Sequence, residues 1–156
     1  MLHVCYIYIT YVVHFFMGSH KLLYLYTLLW YSRSCKWINI VNYITTDDFI
    51  NFLKGIVENN IIKRGADFFM RTRTIKDFRF GIGREVAENT YQMPDDYTIT
   101  GEAGCINRFY QESEMIELLK KELNLQEYKI FHLDCQNLQN GVTLLNSDIV
   151  IWGKVL

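Results

Sequence analysis

Trp37-Ile-Asn-Ile-Val-Asn-Tyr-Ile44 runs straight into Thr45-Thr-Asp-Asp48, and Ala66-Asp-Phe-Phe-Met-Arg-Thr-Arg-Thr74 follows after one amphipathic stretch. The first run is apolar and rich in β-branched and aromatic residues, which suits a strand. The Thr/Asp cluster is a helix-opening signal. From Asp47 to Ile62, residues Phe49, Phe52, Leu53, Ile56, Val57 and Ile61 recur on one broad helical face. Thr45 with Asp48 resembles a capping box. Asp47 and Asp48 in the first turn and Lys63 and Arg64 at the last complement the helix dipole. Gly65 suits a left-handed position just past the helix. The second strand, Ala66 to Thr74, begins apolar and ends polar, as a buried strand emerging at a functional edge does. Strand, helix, strand in this order calls for a parallel pair, whose ligands sit beyond the carboxyl ends.

Downstream, residues 75–107 show little periodicity and many turn formers: Gly81, Gly83, Pro94, Asp95-Asp96, Gly101 and Gly104. A segment of that length inside a compact domain reads as a lid or binding loop with short strands. A second amphipathic helix is expected over Glu112–Leu123, with Met115, Ile116, Leu118, Leu119 and Leu123 on its apolar side and Glu117 paired to Lys121. Two late strands, Tyr128–Leu133 and Asp148–Val155, are expected to pair antiparallel. Asn140-Gly141 between them is a hairpin-turn signal, although the connection as read is too long for a two-residue turn.

The chain has 156 residues, half of them hydrophobic, and a single proline, Pro94. This length suits one domain with a layered core. Charge is uneven: of 16 basic and 17 acidic side chains, only Lys21, Arg33 and Lys36 lie before Asp47. The first 46 residues therefore carry +3 and the remainder −4. Neither half has the concentrated basic face of a nucleic-acid binder, so no nucleic acid is expected as partner. Cys5, Cys35, Cys105 and Cys135 are scattered, form no CxxC pair and read as buried free thiols of a reducing cytosol. No zinc-ligand spacing is present, and His132 beside Asp134 and Cys135 reads as a strand histidine with a local partner.

Residues 1–36 differ from the rest. Leu2–Met17 and Leu22–Tyr31 are almost wholly apolar and aromatic, joined by Gly18-Ser-His-Lys21. Neither run alone reaches the ~20 residues of a bilayer-spanning helix. No basic leader and cleavage site mark a secretory signal. Three readings stay open: elements packed on the main domain, membrane contact through residues 1–31, or a segment without native structure.

Arg71 and Arg73, two apart on a strand, present their guanidinium groups to the same side. With Lys76, Arg79 and Arg84 they form a basic cluster in which Asp77 is the lone acid until Glu85. Arg71, Arg73 and Arg79 are the candidate substrate clamp, suited to an acceptor bearing carboxylate or phosphate. The plainer reading is a solvated edge paired with Asp77, Glu85 and Glu88. Gly81-Ile-Gly83 lacks a third glycine and a following helix, so it is not read as a phosphate loop. No Ser–His–Asp or Cys–His nucleophilic arrangement can be assembled, and no catalytic residue is assigned.

The order of elements from residue 37 onward, with several segments, resembles the carboxyl-terminal half of a class I S-adenosylmethionine-dependent methyltransferase. Asn42-Tyr-Ile-Thr-Thr-Asp-Asp-Phe49 is similar to the end of that family's fourth strand, and Asn60-Ile-Ile-Lys-Arg-Gly-Ala-Asp-Phe-Phe69 to the turn into its fifth. Arg71–Gly83 is similar to a loop of small bacterial-type members. Asn107-Arg-Phe-Tyr-Gln-Glu-Ser-Glu-Met115 resembles the start of the sixth helix, and Asn146-Ser-Asp-Ile-Val-Ile-Trp-Gly153 the final strand.

The resemblance implies an α/β fold, a partial Rossmann-like methyltransferase sheet of strands four to seven. It would occupy residues 37–156, behind an atypical hydrophobic segment at 1–36. It implies S-adenosylmethionine as cofactor, with Asn42, Tyr43 and Thr45 beside the transferable methyl, and a small-molecule or modest-sized acceptor in the cytoplasm. The family's glycine-rich cofactor loop and ribose-binding acid find no counterpart here. The expectation is therefore a truncated enzyme. The alternatives are a non-catalytic remnant or subunit completed by a partner chain at an exposed strand edge, or a membrane-associated protein.

Overall fold

The computed structural model describes residues 34–38 and 40–155, with side chains described from Val41 onward. Residues 1–33, with the packing, membrane or unstructured readings placed on them, lie outside the described residues, whereas Ser34–Lys36, read as the end of the hydrophobic segment, belong to the first strand. Strand β1 (Ser34–Ile38) leads through a 3-10 turn (Ile40–Tyr43) into helix α1 (Thr46–Glu58), and β2 (Ala66–Arg73) follows. Three short strands come next: β3 (Arg84–Ala87), β4 (Thr90–Gln92) and β5 (Ile106–Arg108). Helix α2 (Glu112–Leu123) precedes two long strands, β6 (Leu125–Gln139) and β7 (Val142–Val155).

The main sheet has the order β1-β2-β7-β6. β1 and β2 run parallel, with Trp37 opposite Met70, while β2–β7 and β6–β7 are antiparallel. The strand–helix–strand unit is thus a parallel pair, but the sheet is mixed and mostly antiparallel. A second, antiparallel sheet, β3-β4-β5, is built from the segment read as a loop with short strands.

Both helices cover one face of the main sheet. Phe49, Leu53 and Ile56 of α1 and Met115, Ile116, Leu119 and Leu123 of α2 close over Phe68, Met70, Ile149 and Ile151. Burial of such side chains contributes ~1.5–3 kcal/mol each. Because strand side chains alternate, Arg71 and Arg73 belong to the other face, together with Val150 and Asp148 of β7.

Several boundaries differ from expectation for identifiable reasons. The first strand ends at Ile38, not Ile44, because Asn42 is drawn across the end of β2: its Oδ1 accepts from Thr72 Oγ1 at 2.8 Å and from the Arg73 N–H at 3.0 Å. Helix α1 stops at Glu58, where Asn60 takes φ +52°. The Ile61 N–H then donates to Ile56 O at 3.0 Å and the Asn60 N–H to Val57 O at 3.1 Å, a Schellman ending that uses asparagine instead of Gly65. Lys63 and Arg64 lie beyond this end and do not serve it; Gly65, at φ +76°, belongs to the turn into β2. The cap at Thr45 is present: its Oγ1 accepts the Asp48 N–H at 3.2 Å. The Asp48 carboxylate is too short to reach back to the Thr45 backbone and takes the Thr45 hydroxyl at 2.7 Å instead. Helix α2 has the expected limits.

The last two strands are much longer than expected, and Asn140-Gly141 is their two-residue turn after all. Gln139 pairs with Val142, and Asn140 and Gly141 take φ +51° and +78°, as a type I′ turn requires. Residues 134–141 are too polar to read as strand, but an arm held by backbone pairing has little need of apolar side chains.

Candidate functional site

The carboxyl ends of β1 and β2 open onto a buried polar network assembled from four segments. Arg73, the last residue of β2, is 8% exposed and reaches three ways. Its guanidinium donates to Asn107 Oδ1, to Tyr43 Oη at 3.0 Å and to Glu102 Oε1 at 2.7 Å. Tyr43 donates its own hydroxyl to the same Glu102 oxygen at 2.8 Å. Arg79 approaches the other carboxylate oxygen: its Nε donates to Glu102 Oε2 at 2.6 Å, and Thr100 Oγ1 donates there at 2.6 Å. One Nη of Arg79 also donates to Asp77 Oδ1 at 2.8 Å, and its guanidinium stacks 4.2 Å over the Phe78 ring. Two guanidinium and two carboxylate groups thus share one buried pocket.

The protonation behaviour follows from these contacts. Burial by itself would raise Glu102, but Arg73, the Thr100 hydroxyl, Arg79 and Tyr43 outweigh it and hold the carboxyl below its ordinary range. Tyr43 is pushed up, mainly by burial and further by Glu102, with Arg73 opposing. Arg73 is raised despite its burial because Tyr43 and Glu102 favour its charged form.

Of the candidate cofactor-side residues, Asn42 and Tyr43 meet at Arg73, whereas Thr45 caps α1 and stands apart from the network. Of the candidate clamp, Arg73 and Arg79 meet at Glu102, while Arg71 turns to Asp148 at 2.9 and 2.5 Å. Arg79 pairs with Asp77 as in the solvated-edge reading, but the pair is buried and not at a solvated edge; Glu85 instead accepts the Asn89 N–H, and Arg84 pairs with Gln92. Glu102, Asn107 and Thr100 are functional residues that sequence reasoning misses. They lie 21 to 34 residues along the chain from Arg73 and Arg79, and the one local hint is the placing of Glu102 between Gly101 and Gly104.

Two buried amide donors in this neighbourhood, Asn42 Nδ2 and Asn107 Nδ2, have no hydrogen-bond partner. Asn107 stands on β5, beside Arg108, whose fully buried guanidinium donates to Thr46 Oγ1 at 2.8 Å and to Glu114 and so ties the small sheet to both helices. A separate recess of about 90 Å³ lies at the opposite end of the sheet, lined by Asp67, Glu127, Lys129, Trp152, Gly153 and Lys154.

Among the described residues no group of three or more His, Cys, Asp or Glu side chains is placed to hold a metal. His132 Nε2 lies 2.9 Å from Glu112 Oε2. Cys105 is half-buried and Cys135 exposed, so the expectation of buried thiols does not hold for these two; both are free. No helix among the described residues is long and apolar enough to cross a membrane.

No family model matches this chain, and no curated protein matches it. Among solved structures, an S-adenosylmethionine-dependent methyltransferase from Methanosarcina mazei aligns with a TM-score of 0.53 at 14% identity. The alignment covers 80% of this chain and 59% of that chain. This likeness shows a methyltransferase-like α/β fold; at such identity it assigns no activity.

Proposed function

We propose that the described residues form the carboxyl-terminal half of a class I S-adenosylmethionine-dependent methyltransferase, the half that meets a small or modest-sized acceptor. The observation that carries this reading is the sheet order β1-β2-β7-β6. A parallel pair bridged by α1 is followed by a β6–β7 hairpin whose second strand inserts beside β2. The methyltransferase likeness supports it. In this reading Asn42 and Tyr43 flank the methyl-transfer position, and Arg73 and Arg79 face the acceptor, with Arg71 at the rim.

The described residues fit the cofactor only in part. Asn42 offers an unpaired Nδ2, but the Tyr43 and Thr45 hydroxyls are committed within the chain. Among the described residues no glycine-rich loop opens a helix. The methionine and ribose moieties would have to be held by other elements, and the described residues alone complete no transfer step. Isothermal titration of the full chain with S-adenosylmethionine or S-adenosylhomocysteine tests this: weak or no binding is expected. Absence of heat at millimolar cofactor rejects a self-sufficient enzyme, and tight binding rejects the incomplete-enzyme reading.

One observation favours a second reading, association with a partner chain at the edge of the sheet farthest from β1. β6 ends the sheet among the described residues, and it carries Phe131 at 50% and Leu133 at 44% exposure beside Trp152 of β7. Long apolar edge strands invite pairing. Light scattering after size exclusion decides it, since a clean monomer at high concentration speaks against a partner at this edge.

A further inference from the structure

We propose that Glu102 is a built-in occupant of a carboxylate-binding site, a plug that a carboxylate-bearing small molecule displaces. The proposal rests on the acceptor-side reading of Arg73 and Arg79 and adds what holds that site shut. The Glu102 carboxylate is bound as a ligand would be. One oxygen takes Arg73 and Tyr43, the other takes Arg79 and Thr100, at 2.6 to 2.8 Å. Two guanidinium groups, each donating one N–H to its own oxygen, match a two-oxygen group better than a point anion.

Glu102 belongs to neither β-sheet nor helix. It rides on the connection between β4 and β5, closed at its base by the Met93 N–H donating to Cys105 O at 2.9 Å. Gly101 and Gly104 flank it at φ +70° and +68°, left-handed values that glycine adopts without strain, so Glu102 is presented by a turn and not by a sheet or helix. The loop is tethered from outside by Asn140, at the tip of the β6–β7 arm, whose Nδ2 lies 3.3 Å from both Thr98 O and Ile99 O.

The second observation is the leftover hydrogen-bonding capacity. With Glu102 in place, Asn42 and Asn107 each give their Oδ1 to Arg73 and keep a fully buried Nδ2 without an acceptor. Buried donors are seldom left unmade in a finished site. A guest with an acceptor oxygen beyond its carboxylate would use them; the glutamate side chain has none to offer.

The test uses the full chain, its Glu102→Ala variant and small anions. Thermal unfolding and isothermal titration are run with formate, acetate, inorganic phosphate and chloride at matched ionic strength. Formate and acetate are expected to raise the melting temperature of Glu102→Ala well beyond chloride, and to bind it ~tenfold or more tightly than they bind the parent chain, since removing the plug raises the competent fraction. Arg79→Met in the Glu102→Ala background should abolish the gain. A folded Glu102→Ala protein indifferent to both carboxylates overturns the proposal and leaves Glu102 a structural counter-ion. A phosphate response equal to or above that of formate overturns the carboxylate assignment.

Should Glu102→Ala fail to fold, Asn140→Gly decides. It keeps the turn and cuts the tether, so the parent's weak carboxylate affinity must rise, and an unchanged affinity counts against the plug. Cofactor titration is read separately. Carboxylate binding without cofactor binding keeps the plug and sinks the self-sufficient enzyme; the reverse keeps the enzyme and sinks the plug.

Discussion

Glu102 and Arg73 meet at 2.7 Å across 29 residues of chain, at side-chain exposures of only 11% and 10%. Buried pairs of this kind do not by themselves add much stability, but removing one partner strands the other in a poorly solvated place. Arg73→Met leaves Glu102 short of its strongest partner and also releases Asn107 and Tyr43. A loss of about 3–5 kcal/mol in urea unfolding is expected. Arg73→Lys keeps the charge but cannot fork to three acceptors, so it should fall between the parent and Arg73→Met.

Acid should weaken the protein through the same carboxylate. Glu102 sits below its ordinary value of 4.5 when folded, so the unfolded chain takes up its proton first as pH falls. Its contribution is fully present above pH 4.5 and is lost as pH drops through the lower folded value. Unfolding curves between pH 3 and about 7 should show this limb in the parent and a shallower one in Glu102→Gln.

Gly83 and Gly81 make a matched comparison. Both have positive φ, +89° and +80°, but a Cβ on Gly83 would lie 2.1 Å from Gln92 O, whereas one on Gly81 meets nothing within 4 Å. Gly81→Ala should cost about 1 kcal/mol, and Gly83→Ala about 2–4 kcal/mol because β3 must move off β4. Equal losses in denaturant unfolding would count against this packing of the small sheet.

Leu119 is fully buried between α2 and the main sheet. Leu119→Ala should destabilise by about 2–5 kcal/mol, as deletion of a closely packed side chain does. Thermal unfolding checks it. Leu138→Ala, at the 74% exposed end of the β6–β7 arm, should be within ~0.5 kcal/mol of the parent.

The elements bearing an apolar face are legible in the amino-acid sequence. Phe49, Leu53 and Ile56 repeat at helical spacing and become the buried side of α1; Met115, Ile116, Leu119 and Leu123 do the same for α2. The β6–β7 arm is not legible, because Asp134 to Gly141 are held by main-chain pairing that leaves no mark on side-chain pattern. The candidate site is half legible. A row of arginines on a strand is visible in a few adjacent residues, whereas the acid that neutralises them is not. Glu102 looks like any loop glutamate until the chain folds.

Local patterning alone determined which stretches become the two helices and the apolar strands, though not where each strand begins, since propensity, caps and apolar periodicity act over a few neighbouring residues. It also determined that Asn42, Tyr43 and the arginines gather at one end of the parallel pair. Only tertiary structure decided what those arginines face. Pairing between Arg73, Arg79 and Glu102 depends on how the β4–β5 connection folds back over β2, a long-range closure that no short stretch of sequence encodes.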